Sequence, residues 1–440
     1  MSKHVLILGA GLVSQPIIDY LFEKTDYTLT IADIEKENAV KAIKDNPKGQ
    51  AVTLDVNNAD HLGQLVTTSD IVISLLPLTL HGIVANHCLE HGKSMVNASY
   101  VSDTIREMDD AARRKDILFL CEMGVDPGID HMSAMEIIDD IRKRGGKIKE
   151  FVSVCGGLPA PDSNNNPYGY KFSWSPKGVL MAGKSSARYI EGGEVKEVSS
   201  NDLFHSTSPL MIDGLEFESY PNRDSISYED SYGFRNIDLL LRGTLRYTGW
   251  HKHILAFKDL HLLEDTPILE GESSYAAILA ELNNFDKNDI RNQVARKLDM
   301  APDNEVVLAL EWLGLFNHEP EYFKKTTAID ALARLMSKRM AYEPGEQDMI
   351  AMQHRFLASF EDHKERITST LFDYGIPGGN SSMARTVSLP IAIITKLILE
   401  GEISLRGVRI PVDPMIYKPV LAELKTLGIV FKEEVVVIDD

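Results

Sequence analysis

The sequence is poor in cysteine, in basic charge and in long apolar runs. Its three cysteines, Cys88, Cys121 and Cys155, are far apart, odd in number and without CxxC spacing. That argues against a disulfide framework and against a structural zinc site, so no metal is expected and a reducing compartment is. Basic side chains number 46 against 65 acidic ones, for a formal charge of −19. A chain this acidic repels phosphate backbones, and nucleic acid is not an expected partner. A small anionic substrate is not excluded, because a few arginines in a cleft reverse the local field. No apolar run approaches the roughly 18 residues of a membrane span. The first residues pass straight into an apolar strand pattern, with no basic n-region ahead of it, so no signal peptide is expected. The expectation is a cytoplasmic protein with no membrane partner. Internal repeats and low-complexity tracts are also lacking.

What is present is a chain of 440 residues, 44% hydrophobic and 25% charged. That is too long for one ordinary core, so two or three globular domains are expected. Over the first 120 residues, short apolar segments at 4–8, 27–32, 51–54, 71–75, 94–96 and 117–120 alternate with helical patterns such as 13–22 and 105–114. This alternation predicts an α/β Rossmann fold: a doubly wound parallel sheet with right-handed crossovers. Ligands of such sheets sit beyond the carboxyl ends of the strands.

The string Val5-Leu6-Ile7-Leu8-Gly9-Ala10-Gly11-Leu12-Val13-Ser14 combines a strand, a glycine turn and a helix start. Gly9 permits the turn and Gly11 lets backbone approach a pyrophosphate; Leu12 and Val13 complete the cofactor turn. Ser14, small enough for close helix–strand packing, stands where a third glycine is usual. Asp33 lies 24 positions beyond Gly9, where a carboxylate accepts from ribose hydroxyls and repels a 2′-phosphate. Ile34, Glu35 and Lys36 follow, with no arginine for such a phosphate. The reading is NAD in preference to NADP, although Asp33 also suits a helix cap. Asp55-Val56 and Ser74-Leu75-Leu76-Pro77 close the third and fourth strands as further cofactor contacts, or as plain turns. Asn97-Ala98-Ser99-Tyr100 and Gly124-Val125-Asp126-Pro127-Gly128 close the fifth and sixth.

The pattern changes after Asp126-Pro127-Gly128. A helix at 131–143 stops at Gly145-Gly146, a strand is expected at 148–155, and mixed strands and turns continue to about 250. Helix-forming sequence dominates 265–357, one amphipathic helix spans 382–400, and a strand-like tail covers 434–438. The expected division is a Rossmann domain at 1–128 plus about 382–440, an inserted α+β substrate-binding and dimerisation domain at 129–264, and a mostly helical subdomain at 265–381.

Further strings are Val154-Cys155-Gly156-Gly157-Leu158-Pro159-Ala160-Pro161, Tyr170-Lys171-Phe172-Ser173-Trp174-Ser175-Pro176, Tyr220-Pro221-Asn222-Arg223-Asp224-Ser225, Arg242-Gly243-Thr244-Leu245-Arg246-Tyr247, Glu311-Trp312-Leu313-Gly314 and Ser382-Met383-Ala384-Arg385. With the strand-end strings they resemble the saccharopine reductase family, the glutamate-forming saccharopine dehydrogenases. The resemblance covers nearly the whole chain, weakening around 265–305 and at the carboxyl end. It implies a homodimer that oxidises saccharopine with NAD(P) and water to 2-aminoadipate 6-semialdehyde and glutamate, or condenses them in reverse. Fungal relatives are expected to use NADP, with an arginine after the second strand. Asp33-Ile34 instead resembles the NAD-using half of the animal bifunctional enzyme.

The resemblance assigns Arg223, Thr244, Leu245 and Arg246 to substrate, with Ser99, Tyr100 and Asp126 nearby. It places Ser99, Val125, Asp126, Pro127, Gly128 and Ser175 against the cofactor. Saccharopine carries three carboxylates, which suits cations held in fixed places. Asp126, Cys155 and Tyr100 are the proton-transfer candidates. Three alternatives stand beside them: a Cys155 that is only a small hydrophobe, an Asp126 that only orders its turn, and an amine that accepts its own proton. His131 reads as a structural hydrogen-bonding residue. Rival functions are a carboxynorspermidine-type dehydrogenase, which handles fewer carboxylates, and an inactive NAD-binding sensor.

Overall fold

The computed structural model describes residues 2–438, so Met1, Asp439 and Asp440 of the expected first domain lie outside it. The chain divides into two compact units, Met1–Ile148 with Ala358–Asp440, and Lys149–Leu357.

In the first unit, β1 (His4–Leu8), β2 (Thr28–Asp33), β3 (Gly49–Thr53), β4 (Ile71–Ser74), β5 (Ser94–Asn97) and β6 (Leu118–Leu120) form a parallel sheet. Its order is β6-β5-β4-β1-β2-β3, and a seventh strand, Gly407–Arg409, extends the β6 edge. This is the doubly wound order with its switch point between β1 and β4. Val5 to Leu8 are fully buried, as expected of a central strand covered on both faces. The helical pattern at 105–114 is broken into Asp103–Arg106 and Asp109–Arg114.

The boundary expected at 128 is displaced. Helix Ile129–Lys143 belongs to the first unit and buries ten of its side chains. Tyr417, on helix Pro414–Thr426, donates to its Asp139 Oδ2 at 2.7 Å. Strand Lys364–Tyr374 also belongs to this unit and pairs antiparallel with the tail, Lys432–Ile438. Helix Ser382–Glu400 runs 19 residues and, contrary to the expectation above, is long and apolar enough to cross a membrane by length and composition alone; 72% of its apolar window is buried within the protein, as in a core helix. Its first turn is tied down by Arg385, which holds Asp373 at 2.9 and 3.0 Å.

In the second unit Ser208–Ile212, Leu215–Pro221, Leu239–Tyr247, Lys147–Pro159 and Asp348–Ser359 are neighbours in that order. The hairpin Ala187–Glu191 and Glu194–Val198 branches from Leu239–Tyr247. The stretch 265–381 is not mostly helical. Helices Tyr275–Asn283, Ile290–Lys297, Glu305–Leu313 and Ala328–Arg339 share it with the strand pair Pro267–Ser273 and Glu321–Thr327, and with Asp348–Ser359 and Lys364–Tyr374. Residues 348–354 are buried at every position, so that strand lacks the alternation by which a strand is told from a helix.

Candidate active site

At the switch point Gly9 adopts φ +100°, and its N–H donates to Ala32 O at 2.8 Å. A Cβ there would stand 3.2 Å from Leu75 O and in a left-handed conformation, so glycine is required. The Cβ position of Gly11 has nothing within 4 Å, and Leu12 is 73% exposed: backbone borders open space here. Ser14 sits at the helix entrance without capping it, since its hydroxyl donates to Gly11 O at 2.8 Å. A bare glycine turn, uncapped helical N–H groups and open space fit a dinucleotide pyrophosphate.

Asp33 closes β2. Its Oδ2 accepts from Ala10 N at 2.7 Å and its Oδ1 from Glu35 N at 2.9 Å. The carboxylate therefore braces the glycine turn. Ile34 is 65% exposed beside it. Asp55 is exposed but holds its own turn through Asn57, and Val56 lies in the core. Val13, Leu75 and Leu76 are half-buried at the ends of β1 and β4.

The ends of β4 and β5 are bridged by a residue that sequence reasoning missed, at the start of helix His81–His91. His81 is 1% exposed, with Nδ1 2.8 Å from Ser74 Oγ and Nε2 2.9 Å from Ser99 Oγ. Burial pulls its pKa down to about 4, so the ring is neutral at physiological pH. A neutral imidazole has one donor and one acceptor, so one serine donates to it and the other accepts from it. Ser99 N also donates to Asn97 Oδ1 at 2.9 Å.

Glu122, with φ +61°, is the second residue missed. Its N–H donates to Ser99 O, its Oε1 accepts from Val101 N at 3.1 Å, and its Oε2 lies 2.8 Å from His131 Nε2. The loop holding Ser99 and Tyr100 is thus fastened to the start of helix Ile129–Lys143, and His131 is the hydrogen-bonding residue expected. In the next loop Gly128 has φ +149° and leaves no room for a Cβ, which would fall 2.0 Å from Gly124 O. Gly124 N donates to Pro127 O and Gly128 N to Asp130 Oδ1, and the Asp126–Pro127 bond is cis. Val125, Pro127 and Gly128 are buried while Asp126 is part-exposed. No signal in the local sequence marks His81 or Glu122; each is defined by partners brought in by other strands.

Cys155, Ser175, Arg223, Thr244, Leu245 and Arg246 belong to the second unit. Ser175 caps helix Pro176–Ala182, accepting from Gly178 N at 3.2 Å. Cys155 is buried opposite Thr244 on adjacent parallel strands. Arg223 is exposed, at φ +49°, an uncommon conformation held by its carbonyl accepting from Arg188 N at 2.8 Å.

Arg246 is 5% exposed, between Tyr170 and Trp250, whose ring centres lie 5.0 and 5.7 Å from its Cζ. Its Nη1 donates to Leu245 O at 2.7 Å, and its Nε has no partner. Glu218 is its register partner on the neighbouring strand but does not pair with it. That carboxylate instead accepts from Gly249 N, His251 N and His251 Nδ1 at 2.9, 2.7 and 2.6 Å. A buried guanidinium with an unmet donor and no acidic partner among the described residues can accept a carboxylate without breaking an internal ion pair.

The chain matches the Saccharopine dehydrogenase NADP binding domain over residues 5–120 and the Saccharopine dehydrogenase C-terminal domain over residues 124–429. The chain belongs to the saccharopine dehydrogenase family. It is an oxidoreductase of lysine metabolism. It is 39% identical to the NADP(+), L-glutamate-forming saccharopine dehydrogenase of Saccharomyces cerevisiae, covering 99% of this chain and 100% of that one. The Schizosaccharomyces pombe enzyme of the same description is 36% identical over 98% of this chain and 99% of its own. The mitochondrial alpha-aminoadipic semialdehyde synthase of Bos taurus is 37% identical over 98% of this chain, which spans 47% of that protein. Among solved structures, apo saccharopine dehydrogenase (L-Glu forming) from S. cerevisiae superposes with a TM-score of 0.89 at 38% identity, covering 99% of this chain and 100% of that one. The family's domain description and its fungal members' names carry NADP, which weighs against the NAD preference expected from Asp33. A nicotinamide dinucleotide is common to both.

Proposed function

We propose that this protein oxidises the secondary amine of saccharopine. The ε-carbon loses a hydride and the nitrogen a proton, giving an imine. Water adds to the imine carbon, and the carbinolamine breaks its C–N bond to release 2-aminoadipate 6-semialdehyde and glutamate; the reverse is the reductive condensation. A bound nicotinamide supplies the hydride acceptor. The observation that carries this reading is Arg246, a buried guanidinium whose Nε lacks a partner. Arg246 and Arg223 hold substrate carboxylates. Thr244, Ser99 and Tyr100 supply neutral hydrogen bonds, and Asp126, with Tyr100 or Cys155, moves the proton. The relatives' shared description, L-glutamate-forming, supports the same chemistry.

For the cofactor we propose NAD in preference to NADP. The names of the fungal relatives favour NADP; Asp33 is this chain's own residue at the ribose position and repels a 2′-phosphate. We also propose a cytoplasmic homodimer, by the two-fold logic common to soluble oligomers; light scattering that shows only a 49.1 kDa species at micromolar concentration would reject the dimer. The decisive experiment follows NADH or NADPH absorbance on adding saccharopine to protein with NAD and with NADP side by side. Absorbance appearing with glutamate as product supports the reaction, and no absorbance with either cofactor overturns it. A tenfold better specificity constant with NADP overturns only the cofactor choice.

A further inference from the structure

Helix Ala59–Thr68 and helix His81–His91 lie side by side in the first unit, and Gly63 of the one meets His87 and His91 of the other. The two histidines are four apart on one helix face, with Glu90 beside them. One ligand atom from each of His87, Glu90 and His91 lies within 4.8 Å of the other two. Both imidazoles converge on the space that Gly63 leaves empty: His87 Nδ1 and His91 Nε2 are each 3.5 Å from the position its Cβ would take.

The tautomer of the neutral His91 ring follows from its neighbours. Thr67 Oγ1 donates its single hydrogen to Gly63 O at 2.7 Å. Its contact with His91 Nδ1, at 3.1 Å, must then run from an Nδ1–H to the hydroxyl oxygen. In the neutral ring that leaves the lone pair on Nε2, directed at the Gly63 niche. A ring fixed through its other nitrogen is the usual outer support of a metal-bound histidine. His87 Nδ1, also in the niche, is buried and has no hydrogen-bond partner.

We infer that His87, Glu90 and His91 bind one borderline-soft divalent ion, of the Zn²⁺, Ni²⁺ or Cu²⁺ class, in the niche opposite Gly63. Two imidazoles and one carboxylate suit those ions and not Mg²⁺ or Ca²⁺. Four-coordinate bonds of about 2.1 Å place ligands about 3.4 Å apart, so side-chain movements of about 1 Å close the set. Water completes the coordination. All three ligands stand on helix His81–His91, the facing helix supplying only Thr67 as outer support, and the site lies away from His81, at the opposite end of its helix. The inference is independent of the reaction proposed above.

The test uses the whole chain, stripped with EDTA and titrated with ZnCl₂ by calorimetry and with Co²⁺ by visible absorption. One equivalent per chain is expected, with a tetrahedral Co²⁺ band and no competition from millimolar Mg²⁺. His87→Gln and His91→Gln should each weaken Zn²⁺ at least tenfold. Gly63→Ala supplies the control for folding: alanine favours the helix, so metal-free thermal stability should hold or rise while metal affinity falls at least tenfold. Wild-type affinity no better than that of the double glutamine variant would overturn the site. Loss in the histidine variants with none in Gly63→Ala would overturn its placement in the niche.

Discussion

Two buried polar groups, one in each unit, set up opposite situations. His81 is enclosed by Ser74 and Ser99, and both of its ring nitrogens are engaged. Arg246 is just as enclosed, yet its Nε is unmet and the carboxylate nearest in register is spent on the start of the next helix. A polar group satisfied within the protein contributes rigidity: it aims the hydroxyl of Ser99. A group with a donor unmet by the protein keeps that donor for another acceptor, such as a ligand carboxylate. Burial alone therefore does not separate the two groups; the state of their hydrogen bonds does.

The largest expected effect tests the open side of that comparison. Arg246→Ala should lower the specificity constant for saccharopine by roughly 2–5 kcal/mol, on the order of 30- to several-thousand-fold, because a substrate carboxylate is left unpaired. NADH affinity, measured by fluorescence on the same protein, should hardly move. Arg246→Lys should recover only part of the loss, since an ammonium lacks the bidentate fork. Arg246→Met should leave unfolding free energy unchanged or raised, as no internal ion pair is broken. A Met variant with strong destabilisation and intact kinetics would make Arg246 a structural residue.

The closed side is tested by pH. His81 has its folded pKa lowered to about 4, against 6.5 in the unfolded chain. Between those values the unfolded state binds the extra proton, so the stabilisation is present above pH 6.5 and is lost as pH falls toward 4. From pH 7 to pH 5 that loss is about 2 kcal/mol for this group. Urea unfolding at the two pH values should show His81→Gln losing less stability than the wild type by about that amount. Equal slopes would mean that His81 is hydrated and not enclosed. His253 of the second unit, also lowered to about 4 by burial, gives the wild type a similar remaining slope.

The smallest effect concerns Asp33, which is both brace and charge. Asp33→Asn keeps a carbonyl oxygen for the backbone but removes the negative charge. The ratio of specificity constants for NAD over NADP should fall about tenfold, equivalent to about 1.4 kcal/mol. If the ratio is unchanged, Asp33 acts only as a brace on the glycine turn.

Much of the first sheet was legible because its signals are local. Leu8-Gly9 ends an apolar run at a glycine, and the expected 4–8 is the observed β1. Helix Ser382–Glu400 carries its own cap, Ser381, and its own stop, Gly401, with an apolar interior between them. Strand Asp348–Ser359 was not legible, since continuous burial erases the alternation. The displaced boundary at 128 has a similar cause: helix Ile129–Lys143 looks the same whichever unit covers it.

By itself, the sequence determined the strand–turn–helix at Gly9, the acid at Asp33 and the order of the strings that place the chain in its family. These depend on φ angles, side-chain volume and charge within a few residues of one another. Only the tertiary structure decided that Ser74, His81 and Ser99 form one chain of hydrogen bonds, that Glu122 fastens their loop to His131, and that Glu218 leaves Arg246 without an acidic partner. Those outcomes depend on which donor meets which acceptor across separate strands and helices. A hydrogen bond needs about 3 Å and a direction, and neither is present until the chain has folded.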